Sequence, residues 1–132
     1  MNILKAPKAY LPNEVIVHLE NTTTNKENPG RIQVDEHTFI LPPKDIYHSC
    51  NPNAYIDWVT MDLTARREIA KGEMVTYHYG TSEDDYRIGV FDCTCESPEC
   101  LKHFQGCKYL TNEQRDTIQS MLSPYLKKKY CG

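Results

Sequence analysis

Apolar residues come in short, β-branched bursts along most of this chain, separated by polar or Pro/Gly stretches, and take on helical spacing only near its end. Glu14-Val15-Ile16-Val17-His18-Leu19 predicts a strand. Ile32-Gln33-Val34 and Thr38-Phe39-Ile40-Leu41 flank Asp35-Glu36-His37, the pattern of a hairpin. Pro42-Pro43 ends that pairing, because neither residue can donate to a ladder. Pro7 and Pro12 punctuate an irregular lead-in, and the polar stretch 21–30 reads as a loop. Tyr47 to Asn53 reads as an ordered loop, followed by a strand from about Ala54 to Thr60 that Leu63-Thr64-Ala65 extends. Lys71-Gly72-Glu73 predicts a turn, Met74 to Tyr79 a further strand, and Thr81 to Asp85 a polar connection.

The one helix expected lies at the C-terminal end. Thr111 followed by Gln114 matches a capping box, and Ile118, Met121, Leu122 and Tyr125 recur at helical spacing. Pro124 should stop or kink that helix near its end, and Lys127-Lys128-Lys129 reads as its solvated terminus. The expected class is therefore mostly β with one late helix, without internal repeats or low-complexity segments.

Composition narrows the function classes. The 132 residues fit one domain, with 39% apolar and 25% charged side chains, within the range of a soluble globular protein. A formal charge of -3 argues against general nucleic-acid binding and suits a basic peptide partner. No apolar run approaches the roughly 20 residues needed to span a bilayer, and the first residues carry no secretory h-region. A cytoplasmic protein is the expectation, and in a reducing compartment six cysteines point to metal or catalysis before disulfides.

Cys93-Thr94-Cys95 followed by Cys100 places three thiols in eight residues around a Ser97-Pro98 turn. Thiolates so spaced can wrap one face of a tetrahedral zinc ion. Free cysteines packed as small hydrophobes are the bland alternative, which a polar, Cys-dense loop disfavours. A fourth ligand is needed, and His103, Cys107 and the distant Cys50 are the candidates. The cluster indicates metal and leaves the chemistry open.

Two further segments matter together: Tyr47-His48-Ser49-Cys50-Asn51-Pro52-Asn53, and Gly72-Glu73-Met74-Val75-Thr76-Tyr77-His78-Tyr79-Gly80. Taken alone each is weak. His48 next but one to Cys50 seldom makes a nucleophile pair, and two tyrosines on one strand face are commonly packing residues. Their order, followed by C-x-C-x4-C, resembles the SET-domain protein lysine methyltransferases over about residues 32–110. His48 to Asn53 resembles the family's N-H-S-C-x-P-N signature, Gly72 to Tyr79 its G-E-E-L-T-Y-D-Y signature, and Cys93 to Cys100 its post-SET zinc motif.

The resemblance implies a SET-domain β-fold, β-clip-like and with the two signatures passing in a knot-like arrangement. Its implied boundaries are 1–92 for the SET domain, 93–110 for the post-SET zinc segment and 111–132 for a C-terminal helix and tail. It implies S-adenosylmethionine-dependent methylation of a lysine in a protein or peptide partner, without membrane or direct nucleic-acid binding. Tyr47, His48, Ser49 and Tyr79 would bind the cosubstrate, Tyr79 would be the catalytic tyrosine, and Tyr77 would influence how many methyl groups are added. Cys50 would join Cys93, Cys95 and Cys100 on a structural zinc ion. Tyr47 replaces the family's usual Asn, His78 its usual Asp, and no G-x-G segment precedes them. With 46 residues before Tyr47, one wall of the substrate groove is expected to be short, which makes a homodimer a way to complete it. The second reading kept open is a weak or inactive SET-like zinc-binding interaction module.

Overall fold

The structure is a computed structural model that describes residues 3–19, 23–24, 32–36, 38–40, 42, 44–85 and 91–131. Its strands are short: β1 Val15–His18, β2 Thr23–Thr24, β3 Ile32–Gln33, β4 Phe39–Ile40, β5 Tyr47–His48, β6 Ala54–Asp57, β7 Asp62–Ala65, β8 Thr76–Tyr77, β9 Phe91–Asp92 and β10 His103–Phe104. Two helices follow, α1 Asn112–Thr117 and α2 Pro124–Tyr130. The strands form small sheets in the orders β1-β7-β6, β2-β4-β3, β5-β8 and β10-β9.

β1 forms inside its predicted segment, but the strand expected from Ala54 to Thr60 ends at Asp57, and Leu63-Thr64-Ala65, expected to extend it, returns antiparallel as part of β7. β6 and β7 fold back on each other around the Asp57 side chain, whose Oδ1 accepts from Val59 N at 3.0 Å. That turn lets Ala54, Ile56, Leu63 and Ala65 face one core with Leu4, Tyr10, Leu19, Ile32, Ile40, Val75 and Tyr77. The lead-in is irregular but anchored. Bridges tie Ile3 to Asp45, Lys5 to Met74 and Tyr10 to Ile69, so Leu4, Ala6 and Tyr10 are buried. Gly72 takes φ +86 in the turn before β8, a conformation that favours glycine. In the expected 32–41 hairpin, β3 and β4 pair as predicted, while His37, Leu41 and Pro43 lie outside the described residues. The expected loop 21–30 contributes β2 to the same sheet, its other residues lying outside the described ones.

Three further expectations change. The polar connection 81–85 is interior as far as Asp84: Thr81, Ser82, Glu83 and Asp84 are all buried, and Asp85 is exposed. Gln33 explains part of this, since its backbone N–H donates to Glu83 Oε2 and its side-chain oxygen accepts from Asp84 N. The single late helix is divided. The capping box at Thr111 and Gln114 starts α1, which closes at Ile118. Pro124, expected to end a helix, instead begins α2 at a position where its missing N–H has no intrahelical partner to lose, with Ser123 as N-cap. The basic end is not wholly solvated either, because Lys129 Nζ reaches the buried Asp84 carboxylate at 2.6 Å. Tyr130 donates to the other oxygen of the same carboxylate. These contacts hold α2 over a second core of Cys107, Leu110, Ile118, Met121, Leu122 and Leu126.

Candidate active site and metal centre

β5 and β8 pair in parallel, Tyr47 opposite Thr76 and His48 opposite Tyr77, so the two sequence signatures lie side by side. Tyr47 is thus on a strand, not in the loop expected for it. Beyond the strand, Ser49 N donates to Tyr77 O at 3.2 Å. Asn53 then ties the segments together: its Oδ1 accepts from Thr76 N at 2.8 Å, and its Nδ2 donates to Met74 O at 2.9 Å and to Glu73 Oε2 at 3.3 Å. A buried carboxamide can satisfy both a donor and an acceptor of a passing chain, which explains an Asn after Pro52. Sequence reasoning had not assigned it a role.

β8 ends at Tyr77, and Tyr79 opens a one-turn 3₁₀ helix, Tyr79–Thr81. The two tyrosines therefore do not share a strand face, although their rings lie 5.1 Å apart. Tyr77 is buried, its hydroxyl 3.2 Å from Ser82 Oγ. Tyr79 donates its hydroxyl proton to Ile46 O at 2.7 Å. His78 points inward, not out to solvent: its Nδ1 accepts from Gly80 N at 2.9 Å and its ring meets that of His48 at 4.7 Å. A side chain on Gly80 would come within 2.9 Å of that His78 ring. Burial, and secondarily the Arg66 charge, hold the His78 pKa down at about 4. Burial, then His78, lower that of His48 to about 3, so both rings are neutral at physiological pH.

A cavity of about 540 Å³ opens here, lined by Tyr47, His48, Ser49, Met74, Thr76, Tyr79 and residues 92–95. That size suits a small-molecule ligand. The four residues expected to bind the cosubstrate all line it; Tyr77 does not.

The cysteine-rich segment forms the opposite wall. Sγ atoms of Cys50, Cys93, Cys95 and Cys100 all lie within 4.8 Å of one another, and those of Cys50 and Cys93 are 3.7 Å apart. Four thiolates at about 2.3 Å from a tetrahedral zinc would be about 3.8 Å apart, so the donor set fits such an ion. Burial raises the Cys50 and Cys93 thiols, as expected where four sulfurs crowd together. Burial opposes ionisation of Cys95 too, but hydrogen bonds from Ser97 and the neighbouring cysteines outweigh it and bring the thiol to about 6. The other two candidates for the fourth ligand lie elsewhere. His103 is exposed and pairs with Asp92 at 2.7 Å. Cys107 sits in the second core, where burial pushes its thiol up to about 12.

The SET-domain family model matches residues 6–80, more than half the chain. The chain belongs to the SET-domain family. A histone-lysine N-methyltransferase of Kluyveromyces lactis, H3 lysine-36 specific, is 38% identical over 94 residues, 63% of this chain and 13% of that protein. The protein of the same name from Saccharomyces cerevisiae is 40% identical over 65 residues, 45% of this chain and 9% of its own length. This SET chain thus spans under one-seventh of these relatives. Among solved structures, KRYPTONITE in complex with mCHG DNA and SAH superposes at a TM-score of 0.56 with 18% identity. The match covers 75% of this chain and 26% of that one, and it supports the SET fold expected for the chain. The relatives also correct the cytoplasmic expectation. They are named for a residue of histone H3, a chromatin protein, so that expectation does not stand.

Proposed function

We propose that this SET domain transfers a methyl group from S-adenosylmethionine to the side-chain amine of a protein lysine, with a structural zinc ion on Cys50, Cys93, Cys95 and Cys100. One observation carries the reading: Tyr79, His48 and Ser49, and Cys93 and Cys95 of the thiol cluster line a single cavity. In this reading residues 93–110 are the post-SET segment, and 111–132 cap it. S-adenosylmethionine would supply a methyl group on a sulfonium, already a good leaving group.

The residues of the chain then have positioning to do. A free lysine has a pKa near 10.4, so fewer than about one amine in a thousand is neutral at pH 7. Apolar walls disfavour the ammonium, and the ring of Tyr79, packed against the buried Tyr77 ring at 5.1 Å, is suited to such a wall. With its proton committed to Ile46 O, the Tyr79 oxygen presents lone pairs beside a backbone carbonyl. That fixed pair of oxygens favours the positive charge of the transferring group and a correctly directed amine. Backbone groups of Tyr47, His48 and Ser49 would hold the cosubstrate. Tyr77 is buried and off the cavity, so it would limit room for a methylated amine through the adjoining Tyr79 ring and its own hydroxyl held against Ser82 Oγ; Tyr77→Phe should shift products toward higher methylation by mass spectrometry, and an unchanged distribution refutes that role.

The names of the relatives make a histone H3 segment the first substrate to try. Calorimetric titration of the zinc-loaded chain with S-adenosylmethionine tests the reading. Saturable one-to-one binding is expected, weakened when residues 93–95 are perturbed. Absence of binding would leave the zinc-module reading in its place.

A further inference from the structure

His48 touches both halves of the site. Its Nδ1 lies 3.0 Å from Tyr79 N, the first residue of the 3₁₀ turn, and its Nε2 lies 3.2 Å from Cys50 Sγ. We propose that His48 is a positioning residue that couples the four-cysteine centre to the Tyr79 turn: its ring accepts the Tyr79 N–H and donates Nε2–H to the Cys50 sulfur. The inference rests on the zinc reading of that centre.

The geometry determines which nitrogen carries the proton. A backbone N–H can only donate, so the nitrogen it meets must offer a lone pair. Nδ1 is therefore bare, and a neutral ring keeps its single hydrogen on Nε2, facing the sulfur. An imidazolium would turn a second N–H against the Tyr79 amide, so the cationic ring does not fit this arrangement. The ring is also locked in place: Phe104 lies within 24° of parallel at 5.4 Å, and His78 meets it edge-on at 4.7 Å.

Cys50 Sγ receives a second donor, Leu101 N, at 3.2 Å. Two N–H groups on one sulfur stabilise its thiolate and hold its lone pairs for an ion, the role that outer partners play around metal ligands. The Tyr79 end is equally constrained. Its hydroxyl donates to Ile46 O and its amide to His48, so one short segment, residues 46–50, grips the tyrosine at both ends and supplies a thiol. Loss of the metal would free Cys50, turn the ring and loosen the Tyr79 amide.

Two substitutions in the full, zinc-loaded chain separate the two bonds. His48→Gln carries an amide N–H to the Nε2 position, keeping the sulfur contact and abandoning Tyr79. His48→Asn sets Oδ1 near the Nδ1 position, keeping the Tyr79 contact and abandoning the sulfur. Both lose the ring, so their difference reports the two hydrogen bonds. Zinc release to pyridylazoresorcinol should be roughly 10-fold faster in His48→Asn than in His48→Gln. Exchange of the Tyr79 amide proton should show the opposite order. Equal behaviour of the two variants, with zinc bound to the wild type, would overturn the coupling alone. A wild type that takes up no zinc would overturn the metal reading and the Cys50 arm with it. Nitrogen-15 spectra of the wild-type histidines test the assignment without any variant: the Nε2–H tautomer of His48 is expected, and the Nδ1–H tautomer overturns it.

Discussion

Replacing Asn53, which does not itself line the cavity, with alanine should separate the two signature segments. Asn53 is 3% exposed and makes the hydrogen bonds that close β5's loop onto β8. The Thr76 N–H, bonded at 2.8 Å, would lose its acceptor in a half-buried position. An orphaned donor of that kind costs about 1–3 kcal/mol. The bonds to Met74 O at 2.9 Å and Glu73 Oε2 at 3.3 Å reach groups that solvent can partly recover, so each adds about 0.5–1 kcal/mol. The sum, about 2–5 kcal/mol, is a large share of the roughly 5–15 kcal/mol that stabilises a domain. Asn53→Asp keeps the acceptor for Thr76 but turns a carboxylate toward the Met74 carbonyl and Glu73, and should be no more stable at pH 7. Trp58 is the only tryptophan and donates to Met121 O at 3.0 Å, so its fluorescence reports unfolding in urea. A loss below about 0.5 kcal/mol, the range of neutral surface changes, would refute the reasoning.

Acid should destabilise the fold through His78. Its pKa falls from 6.5 to about 4 on folding, so the unfolded chain binds the proton more readily and stability drops as pH falls from about 6.5 through 4. A shift of this size corresponds to about 3 kcal/mol when the transition is complete. His48, lowered to about 3, adds to the same limb, so His78→Asn should make it shallower without removing it in urea titrations run with zinc present. Asp84→Asn should destabilise by about 2 kcal/mol, because the buried carboxylate holds both Lys129 and Tyr130, whereas Lys127→Met should change little; limited proteolysis of α2 reads the difference, and equal effects would contradict the anchoring. Cys50→Ser should lose bound zinc by elemental analysis and Cys107→Ser should retain it; the reverse would place the fourth ligand in the second core.

The residues that converge on the site were legible because their grouping follows local residue types. Cys93, Cys95 and Cys100 have the spacing of metal ligands, and the two signatures carry His48, Cys50 and Tyr79 in fixed order. β1 and β6 were legible because Val, Ile and Tyr fit a pleated strand wherever it packs, whereas β7 read as a continuation of β6 because the turn at residues 58–61 carries no Gly or Pro. What escaped was set by distant partners. Ser82, Glu83 and Asp84 look like a polar loop until Gln33, about fifty residues away, supplies hydrogen bonds to two of them and α2 brings Lys129 to Asp84. Pro124 ends or begins a helix with equal ease, and only the turn at Ile118 decides which. A strand running to Tyr79 would put His78 on the face opposite Tyr77 and Tyr79, and nothing in the residue pattern marks the strand's early end at Tyr77.

Methyl transfer itself is the most direct test of a cofactor cleft built where the two signatures meet the thiol cluster. Zinc-loaded protein incubated with methyl-labelled S-adenosylmethionine and a histone H3 segment should label a lysine, and Tyr79→Phe, which keeps the ring but not the hydroxyl bonded to Ile46 O, should label it at least about ten times more slowly while still binding the cosubstrate. Full cosubstrate binding with equal labelling by both proteins, or with none by either, would contradict the assignment.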